Sequence, residues 1–212
     1  MSVITFEDKR WKEHPQKKEF RHKACAEFIN GGTVLDIGCG DGLLLKMLRE
    51  KGITAAGVDI SPEAVAQCKA AGFEAQTHTL DDVLPYAHGS FDTVTMLDIL
   101  EHVYDPSFAL KEATRVARTT VIIGVPNFSS LPARVQVVLG NVPENNRPHK
   151  GHLYWFNWQV LNALARQAGL QPVKVKMNTF FPFSKLGAFA PRFWPNLLAL
   201  SFVIKFEKEL YD

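Results

Sequence analysis

The stretch Val34-Leu35-Asp36-Ile37-Gly38-Cys39-Gly40-Asp41-Gly42 constrains this chain more than any other. The apolar run Thr33–Ile37 reads as a short buried strand, and a leucine-rich helix follows from Asp41 to about Glu50, with Leu44, Leu45 and Leu48 inward. Glycines at alternate positions join the two. They let the chain turn sharply and let a ligand touch the backbone. The spacing is G-x-G-x-G rather than the G-x-G-x-x-G of a dinucleotide fingerprint. Asp36 sharpens the point. A dinucleotide rests its pyrophosphate on the helix N-terminus, and a carboxylate aimed there opposes it. The same carboxylate suits an ammonium group. A strand–helix turn with no ligand is the alternative.

The rest of the chain repeats the strand–helix rhythm. Strands are expected at Thr54–Val58, Phe73–Thr77, Phe91–Leu97 and Thr119–Gly124. A helix over 17–30 precedes the first strand, with Phe20, Ala24 and Phe28 four apart. Ser61 and Pro62 open a helix running to about Ala70, as N-cap and first-turn proline. Another helix runs from Ser107 to Val116. This alternation predicts an α/β fold with a largely parallel sheet in a three-layer open sandwich. After residue 125 the reading is a helix over Leu131–Leu139, a polar loop Gly140–Gly151 and an amphipathic helix Asn157–Gly169. Two late strands, Leu170–Met177 and Leu200–Phe206, suggest a hairpin at the sheet edge. The whole, 1–212, reads as one domain, with an N-terminal helix at 17–29 and cap or acceptor segments at 129–156 and 180–196.

Bulk properties exclude several classes. At 212 residues and 46% hydrophobic, the chain fills one core, not two. A net charge of +2 gives no general case for nucleic acid. The basic N-terminal run, Lys9 to Lys23, does not make the interleaved basic and aromatic platform of strand binding and reads as a solvated face, or as contact for an anionic acceptor or membrane surface. Charges from Glu7 to Arg10 interrupt any leader pattern, and no run approaches a membrane span. Cys25, Cys39 and Cys68 are odd in number and widely spaced, which points away from disulfides and toward a cytoplasmic setting.

The candidate site residues cluster after strand ends. S-adenosylmethionine carries an amine, a carboxylate and a sulfonium but no phosphate. Its amine fits Asp36, and its carboxylate fits backbone N–H groups of Gly38, Cys39 and Gly40. Asp59 ends the second strand, about 20 residues on, where an acid accepts from both ribose hydroxyls. Ile60 offers adenine an apolar surface, and Thr79, Leu80 and Asp81 reach its edge. Leu97 and Asp98 follow the fourth strand, near the methyl-donating centre. Glu101 reads as a structural or loop-ordering carboxylate.

These pieces resemble class I S-adenosylmethionine-dependent methyltransferases: Val34–Gly42, Asp59 with Ser61-Pro62, Gly89-Ser90-Phe91-Asp92 and Leu100–Val103. The resemblance covers about 15–206 and implies a seven-stranded Rossmann-like sheet whose last strand is antiparallel. A narrower resemblance, to the methionine-biosynthesis protein family MetW, rests on Val125-Pro126-Asn127-Phe128, Arg134-Val135-Gln136, Leu139-Gly140 and Trp194–Ala199. Where that family carries Gly-Asp, His78-Thr79 stand before Leu80-Asp81, and the 145–152 loop also departs from its pattern. The resemblance implies S-adenosylmethionine as cofactor and S-adenosylhomocysteine as product. It also links the chain to homoserine O-acyltransferase, as an alternative to catalysis.

Methyl transfer is an in-line displacement at an activated methyl, so positioning and water exclusion come before acid–base chemistry. A protonated acceptor needs a base, and His102, His149 and His152 are the candidates. His149, His152 and Asp98 match no recognised zinc spacing, so no metal is expected. The aromatic run Leu153–Phe156 with Trp158 reads as core or as an acceptor wall. Phe180–Asn196 reads as a lid, a dimer contact or a lipid-facing surface. The overall expectation is a small-molecule methyltransferase. A noncatalytic partner protein is the alternative, and a dinucleotide oxidoreductase is disfavoured by Asp36 and the glycine spacing.

Overall fold

In the computed structural model the described residues are Asp8, 19–180 and 194–209, except the His149 side chain. The segment 181–193 and residues 17 and 18 of the expected N-terminal helix lie outside them. The elements run α1 (Phe20–Phe28), β1 (Thr33–Ile37), α2 (Leu43–Arg49), β2 (Thr54–Asp59), α3 (Pro62–Ala70), β3 (Glu74–Thr77) and β4 (Phe91–Leu97). There follow α4 (Pro106–Val116), β5 (Ala117–Pro126), α5 (Leu131–Val138), α6 (Trp158–Gln167), β6 (Leu170–Thr179), α7 (Pro195–Leu198) and β7 (Ala199–Lys208). Short 3-10 turns at Glu144–Asn146 and Pro148–Lys150 break up the expected polar loop.

Seven strands form one sheet in the order β3-β2-β1-β4-β5-β7-β6. β1 to β5 are mutually parallel, and β7 is antiparallel to both β5 and β6. The Rossmann-like expectation holds, including the two late strands. They pair antiparallel with each other at the sheet edge, as expected, with β7 lying between β5 and the edge strand β6. Burial explains the order. Phe202, Val203, Ile204 and Phe206 of β7 are fully buried and need cover on both faces. β6 carries Lys174 and Lys176 and suits an edge, where lysine discourages further pairing.

Local chemistry sets the element ends. The Ser61 hydroxyl accepts from the Ala64 N–H at 3.1 Å, and Pro62 opens α3 as expected. The Asn157 side chain caps α6 through the Val160 N–H at 2.9 Å. Asp92, from the Gly-Ser-Phe-Asp motif, is structural: it accepts from the Thr33 N–H at 2.8 Å and the Thr33 hydroxyl at 3.0 Å, tying β4 to the start of β1. Lys51 donates to the Ile29 carbonyl at 2.6 Å and to the Ala26 carbonyl. A cation on these C-terminal carbonyls is favourable, and it anchors α1 against the sheet. Cys25 and Cys68 are buried in helices, in keeping with a packing role.

The sheet order reverses between β1 and β4. In an open parallel sheet that reversal leaves a crevice at the carboxyl ends of the strands.

Candidate active site

Asp36 sits within β1, flanked in the ladder by Gly57 of β2 and Thr95 of β4. That register puts the Thr95 hydroxyl 2.6 Å from Asp36 Oδ1, to which it donates. Burial pushes the Asp36 carboxyl up to about 7; the Thr95 bond pulls it down and the charge of Asp59 raises it again. Two carboxylates thus share the floor beneath the glycine turn. Such a floor favours an incoming cation and disfavours a phosphate.

Gly38, Gly40 and Gly42 all take positive φ, at 75°, 55° and 84°. Gly38 is the tightest: an added Cβ would lie 2.0 Å from Ile99 Cδ1. The turn is closed by its own hydrogen bonds. The Gly38 and Cys39 N–H groups donate to the Val58 carbonyl at 2.8 and 3.1 Å, and the Gly40 N–H donates to Asp59 Oδ2 at 2.9 Å. These three N–H groups, expected to meet a cofactor carboxylate, are therefore already engaged. Asp59 Oδ1 accepts from the Ser61 N–H at 2.9 Å, fixing the carboxylate at the end of β2. The Cys39 side chain points away, into a buried cluster with Leu45, Val65, Cys68 and Ala75.

Ile60 is half-buried beside Asp59. Thr79 and Asp81 cap one another on the loop after β3, with the Thr79 hydroxyl 3.3 Å from both the Asp81 N–H and Asp81 Oδ2. Leu80 packs on the core beneath them. Leu97 packs under Gly124, where a Cβ would come within 2.9 Å of it.

The β4 turn carries the polar part of the site. Asp98 is the one non-glycine residue with positive φ (55°) among the described residues. Such a conformation costs of order 1 kcal/mol and concentrates at functional sites. Its carboxylate meets Arg21 of α1 at 2.9 Å. Arg21 belongs to the run expected as a solvated basic face, but only 25% of its side chain is exposed. It stands beside Asp98 at a cavity of about 580 Å3, which Pro126, Phe128 and Gln136 also line. Of the expected cofactor residues only Asp98 borders this cavity. A periodic signal could not have found Arg21; only its place at the start of α1, against the sheet reversal, brings it in.

The backbone carbonyl of Glu101 accepts from the Leu153 N–H at 2.7 Å and the Tyr154 N–H at 3.2 Å. Glu101 orders this loop through its backbone carbonyl, and not through the expected carboxylate, whose oxygens make no hydrogen bond. The bonds to the carbonyl draw the 150s loop onto the β4 turn, so His102 and His152 meet with ring centroids 4.8 Å apart. His102 Nδ1 lies 3.1 Å from the Gly151 carbonyl, and His152 Nδ1 lies 2.7 Å from that of Asn145. His149 belongs to the turn Pro148–Lys150, and its side chain lies outside the described residues. In the aromatic run, Phe156 is buried while Leu153, Tyr154 and Trp155 are exposed, so only Phe156 and the partly buried Trp158 join the core. Trp155 stacks at a tilt on Phe128, at 6.0 Å, beside the cavity.

Known proteins share both fold and pattern. Magnesium protoporphyrin IX methyltransferase from Synechocystis, solved with bound S-adenosylhomocysteine, superposes with a TM-score of 0.69 at 16% identity, covering 98% of this chain and 95% of that one. A S-adenosylmethionine-dependent methyltransferase from Archaeoglobus fulgidus gives 0.68 at 18% identity, covering 98% and 100%. In sequence, the ubiquinone biosynthesis O-methyltransferase of Pseudomonas syringae pv. tomato is 31% identical over 167 residues, 74% of this chain and 72% of its own length. The corresponding protein of Xanthomonas oryzae pv. oryzae is 27% identical over 181 residues, 81% of this chain and 76% of its own. The family described as Methionine biosynthesis protein MetW matches residues 20–204, and the chain belongs to that family.

Proposed function

We propose that this chain is a S-adenosylmethionine-dependent methyltransferase acting on a small molecule, with its cofactor on the glycine turn and its acceptor over the Asp98 cavity. The observation that carries the reading is the buried pair Asp36 and Asp59 beneath a closed, positive-φ turn. S-adenosylmethionine supplies an activated methyl on a sulfonium and leaves as S-adenosylhomocysteine. Asp36 faces the amine, Asp59 takes the ribose hydroxyls, and Ile60 with Thr79, Leu80 and Asp81 surrounds adenine. The backbone of Gly38, Cys39 and Gly40 shapes the seat, and Leu97 packs beneath it. Arg21 offers the cofactor carboxylate the complementary charge that the engaged turn N–H groups do not. His102 and His152 adjoin the Asp98 cavity through Asn145 without lining it, and take an acceptor proton only while no ion holds them; His149 is on the same loop.

Calorimetric titration with S-adenosylhomocysteine tests the cofactor assignment, and transfer of an isotopic methyl into a metabolite extract tests the activity. Asp59→Ala removes an acceptor of charge-assisted bonds worth about 1.5–3 kcal/mol each, so affinity should fall roughly 100-fold. Arg21→Met should weaken affinity about tenfold, the worth of a partly exposed charged contact. Wild-type affinity in either variant would remove that residue from the cofactor site.

The family match favours a second reading, in which the chain works in the cytoplasm as a partner of homoserine O-acyltransferase. Among the described residues no helix is long and apolar enough to cross a membrane. Co-purification with that enzyme, or its absence, separates a partner role from catalysis alone.

A further inference from the structure

We propose that Glu101, His102 and His152 form a site for one divalent first-row transition-metal ion, where the β4 turn meets the 145–152 loop. One ligand atom from each residue lies within 4.8 Å of the others. Around a shared ion such atoms stand about 3.4 Å apart, so modest side-chain rotation closes the set.

Three independent features support it. First, Glu101 is 1% exposed, and neither carboxylate oxygen has a hydrogen-bond partner. A buried carboxylate without donors is costly, and an ion removes that cost. Second, each imidazole points Nδ1 at a backbone carbonyl, of Gly151 for His102 and of Asn145 for His152. That makes Nδ1 the protonated nitrogen and puts the lone pair on Nε2, the orientation by which ligating histidines are held. Third, the two rings come from segments fifty residues apart and are brought edge to face by the bonds to the Glu101 carbonyl. The expectation of no metal weighed His149 and Asp98 with His152, and the fold gathers a different set.

One carboxylate and two imidazoles suit zinc, iron, cobalt or nickel better than magnesium or calcium. The remaining positions accept water or an oxygen-bearing acceptor. Asn145 and Asp98 border both the cluster and the acceptor cavity, so an ion here adjoins the small molecule to be methylated. Ion binding stands on geometry alone, whereas its use in methyl transfer rests on the function proposed above.

The test takes the full chain, stripped by chelator dialysis, and titrates it with zinc and with cobalt(II). The expected result is one ion per chain, with ligand-field bands of a nitrogen–oxygen site for cobalt. Glu101→Gln and His152→Asn should each bind at least about 100-fold more weakly, since even outer-shell partners cost 10–100-fold. A melting temperature for each variant establishes that it is folded. Failure of the wild type to take up an ion, or folded variants that bind like it, overturns the site. S-adenosylhomocysteine affinity of the same metal-free chain tests the methyltransferase reading separately.

Discussion

Gly38→Ala should abolish measurable cofactor binding and lower stability by about 2–5 kcal/mol. Two costs add. An L-residue at the observed φ of 75° pays roughly 1–2 kcal/mol. The new Cβ would also stand 2.0 Å from Ile99 Cδ1 and 2.5 Å from Ile99 Cγ1. Overpacking of this kind costs about 1–3 kcal/mol. Ile99 is packed on the main core cluster, so it gives way only by moving the turn that carries Asp98 and Glu101. The turn would shift under the cofactor and the acceptor side together. A thermal melt should fall by roughly 5–15 °C for a domain of this size. The double variant Gly38→Ala with Ile99→Ala separates the two costs. It removes the clash and keeps the φ penalty, so Gly38→Ala should cost less in the Ile99→Ala background than in the wild type, once the cost of Ile99→Ala alone is subtracted. A single variant that melts and binds S-adenosylhomocysteine like wild type would show that the turn does not form the seat.

The parts of this molecule legible in the sequence are those built from neighbours in the chain. β1 and β4 begin and end where the apolar runs do, because both are central strands buried by their own side chains. The caps of α3 and α6 follow from Ser61 and Asn157 alone. What was not legible depends on tertiary placement. β7 reads as an apolar strand, but nothing local says that it inserts beside β5. Arg21 looks like one more lysine-like surface charge until α1 is laid against the sheet and brings it to Asp98. The turn N–H groups look available until Val58 and Asp59 are seen to accept from them. Glu101, His102 and His152 meet because two backbone N–H groups of the 150s loop bond to one carbonyl, a pairing without any residue-type signature.

Asp36→Asn should stabilise the chain at pH 8 while weakening its hold on the cofactor, the pattern expected of a group kept for binding. Native Asp36 titrates near 7 against an ordinary 3.8, because burial opposes its charge. The folded state therefore holds a proton that the unfolded chain has lost, so stability falls as pH rises from about 4 to about 7 and then levels. A shift of this size corresponds to roughly 4 kcal/mol. Asparagine imitates the neutral acid and can still accept from Thr95, so the variant should match wild type near pH 4 and exceed it at pH 8. Glu101, also buried and raised, contributes a slope of the same sign. It is common to both proteins, so the difference between their melting curves isolates Asp36. Binding should run the other way. A cofactor ammonium favours the ionised carboxylate, so at pH 6 the wild type should release a proton on binding. Calorimetry in buffers of different ionisation enthalpy reads that proton directly, and Asp36→Asn should show no such buffer dependence. Above pH 8 the variant should bind about 10- to 100-fold more weakly, the worth of one buried charge-assisted contact. Parallel melting curves in the two proteins, or buffer-independent heats in the wild type, would place the amine away from Asp36.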